Sequence, residues 1–200
     1  MRQLLLDFTR APAPTFDNFV PGGNAELLQA LQAALRGDPP APVLYVWGEP
    51  GAGKSHLARA FAEAASGRRG VRVIDDVDRL DEAAQASLFN DFIERAFALL
   101  LVTARAAPGH LDMRRDLASR LATGITYHVL ALTDDEKRAA LAAHARTRGF
   151  GLTDEVSAYL LTHARRDMGS LMAALDQIDR FSLETGRPVT VPLLKAAMQA

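Results

Sequence analysis

The sequence predicts an α/β protein in which a parallel sheet is followed by an all-helical subdomain. Three observations carry that expectation. Short apolar runs rich in β-branched residues recur at 43–47, 71–77, 98–105 and 126–132, with helical stretches between them. A glycine-rich segment, GEPGAGKS (48–55), lies directly between the first of these runs and a helix. From Thr133 onward the periodicity is helical only. Strands that alternate with helices pair in parallel through right-handed crossovers.

Each element has a local reason. Leu27, Leu28, Leu31 and Leu35 fall at helical spacing behind Asn24, which is expected to cap the helix, and GDPPAP (37–42) ends it. VLYVW (43–47) is a buried strand, and HLARAFAEAA continues as a helix after the glycine-rich segment. After SGRRG comes the strand VRVIDDV (71–77), then a helix capped by Asp81 that carries Leu88, Phe89, Phe92 and Ile93. ALLLVTAR (98–105) is a third strand, DLASRLATG (116–124) a short helix stopped by Gly124, and TYHVLAL (126–132) a fourth strand. TDDE (133–136) reads as a capping box, and further helices are expected at about 153–163, 167–184 and 191–199. The expected division is a tail at 1–13, a base at 14–132 and a helical subdomain at 133–200.

Composition narrows the function. Two hundred residues with 48% hydrophobic content can bury a sizeable core. Lys plus Arg total 23 against 24 Asp plus Glu, so no excess of positive charge draws the chain to nucleic acid. Direct sequence-specific DNA binding is therefore not expected, and the absence of a long apolar run argues against a membrane partner. There is no cysteine, which excludes disulfides, thiol catalysis and Cys-based zinc sites and suits a cytoplasmic location. His110, His128, His144 and His163 show no spacing that suggests a metal site.

GEPGAGKS matches G-x-x-x-x-G-K-[ST], comprising Gly48, Glu49, Pro50, Gly51, Ala52, Gly53, Lys54 and Ser55. Glycines let the backbone curl so that its N–H groups face phosphate oxygens. Lys54 would reach the β/γ oxygens of ADP or ATP, and the Ser55 hydroxyl would ligate Mg²⁺. By average residue usage the pattern arises by accident on the order of once in a hundred such chains. Its position between strand and helix adds to that. VRVIDD then ends a strand in Asp75 and Asp76: Asp75 is the expected metal acid, while Asp76 stands where many such ATPases carry a water-activating glutamate. Asp76 is one methylene shorter, and Asp78 reads as a solvated loop acid.

The chain opens MRQLLLDF, followed by RAPAP. That segment is too short to span a membrane and lacks the pattern of a secretory signal. From the residues alone two readings stand: an N-terminal strand packed on the domain, or a linear motif offered to another protein.

Together these stretches resemble the AAA+ ATPases, and among them the DnaA-related initiator clade with its Hda-type inactivators. TFDNFVPGGN (15–24) resembles the family's T-F-x-x-F-x-x-G-x-N box, which implies that Asn24 lines an adenine pocket. LYVWGEPGAGKSHL resembles its strand and phosphate loop, including His56, and IDDVDRL its Walker B segment. DLASRL resembles the box that places an arginine finger, here Arg120, and RRDMGSL resembles the sensor 2 of the lid, pointing to Arg166. Hda-type proteins also begin with a Q-L-x-L-x-F/L motif for the polymerase sliding clamp (its beta subunit), and Gln3, Leu4, Leu6 and Phe8 match it. The initiator carries a further DNA-binding domain after the lid, whereas this sequence runs to Ala200, so the Hda type is the expectation.

Two departures from the family pattern stand out. Between the phosphate-loop helix and Walker B there is only SGRRG, where relatives carry another strand and helix. The family's strand order 5-1-4-3-2 should therefore reduce to 5-1-4-3, leaving VRVIDDV at an exposed edge. The polar sensor 1 residue aligns with Arg105, which could contact a γ-phosphate but could not orient a water as a carboxamide does. With Asp76, this implies weak or absent intrinsic ATPase.

The resemblance thus implies a regulator that binds ADP and the clamp and stimulates hydrolysis of DnaA-bound ATP through Arg120 in trans. An autonomous ATPase such as a helicase loader, and a degenerate adaptor on the clamp, are the alternatives. A homo-oligomer through head-to-tail contacts at Arg120 stays open.

Overall fold

The computed structural model describes residues 13–199. The segment holding Gln3, Leu4, Leu6 and Phe8 lies outside them. The described chain forms two compact units, one spanning 13–131 and the other starting at Leu132.

In the first unit, helix α1 (Ala25–Leu35) buries Leu27, Ala30, Leu31 and Ala34, the i, i+3, i+4, i+7 stripe of an amphipathic helix. Asn24 occupies its N-cap position, but the Asn24 side chain makes no capping bond. This departs from expectation, because that side chain is used elsewhere. Strand β1 (Val43–Trp47) leads through the glycine-rich loop into helix α2 (Lys54–Ala64). Strand β2 (Val71–Ile74) is shorter than the run 71–77 suggests. The chain leaves the sheet at Asp75 and turns through a 3₁₀ segment at Val77–Arg79. Helix α3 (Glu82–Glu94) starts at Asp81, whose carboxylate accepts from the Ala84 N–H. It buries Leu88 and leaves Ile93 exposed. Strand β3 (Leu99–Ala104), helix α4 (Arg115–Leu121) and strand β4 (Ile125–His128) complete the unit.

Among the described residues the sheet has four strands in the order β2-β3-β1-β4, all pairs parallel. Leu44, Val46 and Leu101 face α1 and α2, where they pack with Leu31, Leu57 and Phe61. Tyr45, Leu100 and Val102 face α3 and α4, where they pack with Leu88, Leu117 and Leu121. Full burial of each large side chain contributes about 1.5–3 kcal/mol. Gly124 fits where nothing larger could: a Cβ there would fall 2.3 Å from the Val43 carbonyl oxygen.

The second unit contains helices α5 (Asp134–Thr147), α6 (Asp154–His163), α7 (Met168–Thr185) and α8 (Val191–Gln199). Leu141, Leu160, Leu171, Leu175 and Leu194 are among its buried core. His144 and Arg148 on α5 pair with Asp176 and Asp179 on α7. The N-terminus of α5 carries a complete capping box. The Thr133 hydroxyl accepts from the Glu136 N–H at 3.2 Å, while the Glu136 carboxylate accepts from the Thr133 N–H at 2.8 Å. Among the described residues no helix is long and apolar enough to cross a membrane. Thr133→Ala is expected to lower the stability of the helical unit by about 1 kcal/mol, read from chemical denaturation.

Candidate functional site

The carboxyl ends of β1, β2 and β3 lie side by side, so the segments leaving them form one edge of the sheet. This is where ligand sites of open parallel sheets are found. From β1 comes the loop 48–53, in which Gly51 and Gly53 take φ values of +81° and +103°. That left-handed region costs other residues about 1 kcal/mol or more. A Cβ on Gly53 would also lie 2.8 Å from Cε2 of Phe19, so the ring of Phe19 rests on the loop only because that residue is glycine. Gly53 is the N-cap of α2, and the loop's N–H groups run into the helix's positive end.

Lys54 is only 6% exposed. Its ammonium donates to the carbonyls of Gly48 at 2.7 Å and Glu49 at 3.0 Å, folding the side chain back over its own loop. One residue on, the Ser55 hydroxyl donates to Oδ1 of Asp75 at 3.1 Å. The same oxygen accepts from the Thr103 hydroxyl at 2.6 Å. The glycine-rich loop, Ser55, Asp75 and Thr103 are thus joined.

Asp76 takes φ +54°, left-handed for a non-glycine residue, and its N–H donates to Oγ1 of Thr103 at 2.8 Å. Its carboxylate lies 3.4 Å from Nε of Arg79 on the same turn. Asp78 corrects the expectation of a solvated acid. Its side chain is 2% exposed and accepts from both the backbone N–H and the guanidinium of Arg105. Arg105 is therefore engaged with Asp78. Beside it, the Tyr45 hydroxyl donates to the Ala106 carbonyl at 2.8 Å. Burial first, and the nearby Asp78 charge second, push that hydroxyl well above its usual pKa.

The box at 15–24 works by a different route from the one its resemblance implies. Asn24 is buried, and its amide donates to the carbonyls of Pro21 and Leu130, each at 2.9 Å. Its carbonyl accepts from the Leu130 N–H at 2.8 Å. Every donor is taken, so Asn24 braces the chain after β4 and has no amide hydrogen left for a base. His56 shares a hydrogen bond of 2.9 Å with the Thr15 carbonyl and lies 5.4 Å from the Phe19 ring. It holds the 15–19 segment against the start of α2.

Arg120 sits in the last turn of α4, exposed, with Leu117 and Leu121 of the same helix buried beneath it. Its side chain makes no ion pair or hydrogen bond among the described residues. Arg166 belongs to the helical unit, and its Nη2 donates to both oxygens of Asp134, at 2.6 and 2.7 Å. That hydrogen bond holds the Asp134 carboxyl below the usual carboxylate range. No group of three or more His, Cys, Asp or Glu residues among those described could hold a metal by itself.

Solved structures share this architecture. Domain III of the replication initiation protein DnaA from Thermotoga maritima matches with a TM-score of 0.74 at 17% identity, covering 94% of this chain and 96% of that one. The RuvB Holliday junction branch migration motor of Thermotoga maritima gives 0.66 at 20% identity, covering 93% and 71%. AMPPCP-bound DnaA from Aquifex aeolicus gives 0.69 at 20% identity, covering 86% and 67%. At such identities the likeness shows the fold alone, the AAA+ fold of these chains. Residues 134–198 match the family model described as Hda, lid domain. The 134–198 segment is thus similar to the Hda lid, in a chain whose fold is that of DnaA domain III.

The matched segment begins at Asp134, the first residue of α5, directly after the Thr133 capping box. Sequence reading found the loop and Asp75 but missed Thr103 and the burial of Asp78. A signal for Thr103 existed: it is the polar residue of LLLVTA, one register step beyond the pair Ile74↔Val102 and so beside Asp75. Asn24→Ala is expected to destabilise the 13–131 unit by roughly 2 kcal/mol or more, because it strands both backbone groups of Leu130. Urea denaturation followed by Trp47 fluorescence measures it.

Proposed function

We propose that this chain is a negative regulator of chromosomal replication initiation. It binds an adenine nucleotide, ADP or ATP, docks on the DNA polymerase sliding clamp, and stimulates hydrolysis of ATP held by DnaA. The observation that carries the reading is the Hda lid match at 134–198 on a chain whose phosphate-loop Ser55 is bonded to Asp75. The cytoplasm is where such a regulator would meet its partners.

Nucleotide binding follows from the loop. Its curled N–H groups and the α2 N-terminus favour phosphate oxygens, and Lys54 would exchange its two carbonyl acceptors for them. The AMPPCP-bound DnaA that shares this fold supports a nucleotide here. The donor set fits Mg²⁺, which binds through few protein oxygens and takes the rest from waters and phosphates. Ser55 and Asp75 would hold it, and bound Mg²⁺ would neutralise phosphate charge. Asn24 and His56 act by bracing the pocket, and Arg166 of the lid is proposed as a nucleotide ligand.

Arg120 is proposed to act on a nucleotide bound by DnaA. An exposed, unpaired guanidinium on a short, buried-face helix is available to another subunit. Such fingers neutralise charge developing on the γ-phosphate and contribute roughly 10³–10⁵ in rate in GTPase systems. The chain's own site is poorly equipped for hydrolysis, since Asp76 is turned to Arg79 and Arg105 to Asp78. Docking would use Gln3, Leu4, Leu6 and Phe8, with the glutamine hydrogen-bonding in the clamp groove and Leu6 and Phe8 filling its apolar pocket.

Single-turnover hydrolysis of DnaA-bound ATP on DNA-loaded clamp tests this. The wild-type chain is expected to accelerate it. Arg120→Ala should abolish the acceleration while leaving clamp and nucleotide binding intact. The double change Gln3→Ala and Phe8→Ala should remove clamp binding and the acceleration together. An Arg120→Ala protein as active as wild type would sink the finger assignment, and ATP turnover without DnaA would favour the helicase-loader reading.

A second test follows from the lid. Recruiting Arg166 to a nucleotide must release Asp134, so adding nucleotide should raise the Asp134 pKa toward its ordinary value. In the free protein the depressed pKa means that the Arg166–Asp134 pair adds stability above the ordinary carboxylate range. That stability is lost as pH falls through the depressed value. Carboxyl NMR of Asp134 with and without ADP, and in Arg166→Ala, reads the shift directly.

A further inference from the structure

We infer that Thr103 is a positioning residue for the metal end of this site, setting the orientation of Asp75 through its hydroxyl. The inference rests on the nucleotide reading above and names a residue which that reading does not use.

The sheet register brings the two residues close, just where the chain leaves β2. β2 and β3 pair in parallel through Ile74↔Val102, and the next step sets Asp75 beside Thr103. Parallel neighbours project to the same face, so the two side chains meet. Thr103 is 0% exposed, while its β1 neighbour Val46 is packed in apolar core. A hydroxyl in such a place must be bonded. Both of its functions are in use: Oγ1 donates to Oδ1 of Asp75 at 2.6 Å and accepts from the Asp76 N–H at 2.8 Å.

Two consequences follow. Oδ1 of Asp75 already receives Thr103 and Ser55, which fixes the carboxylate plane and turns Oδ1 toward the phosphate loop. The Asp76 N–H bond pins the left-handed turn by which the chain leaves β2, so the Walker B acid is held from its side chain and from the following peptide. The Ser55 hydroxyl keeps an oxygen lone pair free while donating to Asp75. Loss of the Thr103 hydroxyl would free the Asp75 carboxylate to rotate and would orphan the Asp76 N–H. Loss of a partner that orients a metal ligand typically weakens metal affinity roughly 10–100-fold.

The test is ADP affinity measured with Mg²⁺ and again in EDTA, on wild type, Thr103→Val, Thr103→Ala and Thr103→Ser. Valine keeps the shape and removes the hydroxyl; alanine removes it with less bulk, should valine fail to fold. Affinity in EDTA also reports whether each variant keeps an intact phosphate loop. The expected result is that valine and alanine lose roughly 10–100-fold in the Mg²⁺-dependent part of affinity and keep wild-type affinity in EDTA. Serine should stay close to wild type. Equal losses in both conditions would make Thr103 a core filler and overturn the inference, as would a valine variant that keeps the full Mg²⁺ effect or a serine variant as weak as valine. A wild-type chain that binds no nucleotide at all would overturn the nucleotide reading and this inference with it.

Discussion

A buried ammonium has to be paired, and much of the 13–131 unit is arranged around the one on Lys54. Burial of an unpaired cation would cost several kcal/mol, so the loop must supply oxygens wherever the side chain can reach. It does so with the carbonyls of Gly48 and Glu49, and those carbonyls point inward only because Gly51 and Gly53 turn the backbone through left-handed conformations. The glycines in turn permit Phe19 to rest on the loop. A phosphate oxygen is a better partner for the ammonium than a peptide carbonyl, because both partners are then charged. The same constraint that holds the loop together therefore makes it receptive to an anion.

Two hydrogen-bond systems grow from the strand ends, and they divide the labour. Ser55 and Thr103 donate to Asp75 while the Asp76 N–H donates to Thr103, linking the glycine-rich loop to the ends of β2 and β3. Asp78 and Arg105 form the second system, with Tyr45 and the Ala106 carbonyl next to them. Asp78 is buried and Arg105 is 62% exposed, so the arginine covers the acid as a lid would and its stem shields the pair from water. The first system is built from hydroxyls and a carboxylate, groups that a hard cation recognises. The second is already neutralised and asks for no ligand.

The residues that could be read from sequence are those whose role is local. The loop's glycines, Lys54, Ser55 and the acid ending β2 follow from a short pattern in strand–helix context, and the Thr133–Glu136 box from residues three apart. The residues that escaped reading act over distance. Asn24 was expected to cap the helix that follows it, yet its amide reaches Leu130, 106 residues away. Local spacing cannot rank those two uses, since a capping bond and a bond to a distant backbone satisfy the same amide equally well. Asp78 looked solvated because loop acids generally are; only the approach of Arg105, 27 residues on, makes its burial affordable. The strand at β2 ended early for a related reason. The apolar alternation runs through Val77, but the left-handed turn at Asp76 takes the chain out of the sheet.

Sensing and hydrolysis make different demands, and the arrangement here favours the first. Holding a nucleotide requires a curled loop, an ammonium and an acid for the metal, and the loop 48–53, Lys54 and Asp75 are each braced for those proposed roles. Cleaving it requires in addition a base free to take a proton from water and a polar group at the end of β3 to orient that water. Asp76 is short, bent into a strained turn and paired with Arg79, and Arg105 is turned away onto Asp78. On the proposed reading, either fault alone would slow hydrolysis. A nucleotide that is held and not consumed would stabilise the folded chain by mass action for as long as it stays. On the proposed reading, the exposed guanidinium of Arg120, unpaired among the described residues, is the group offered to a phosphate of a different molecule.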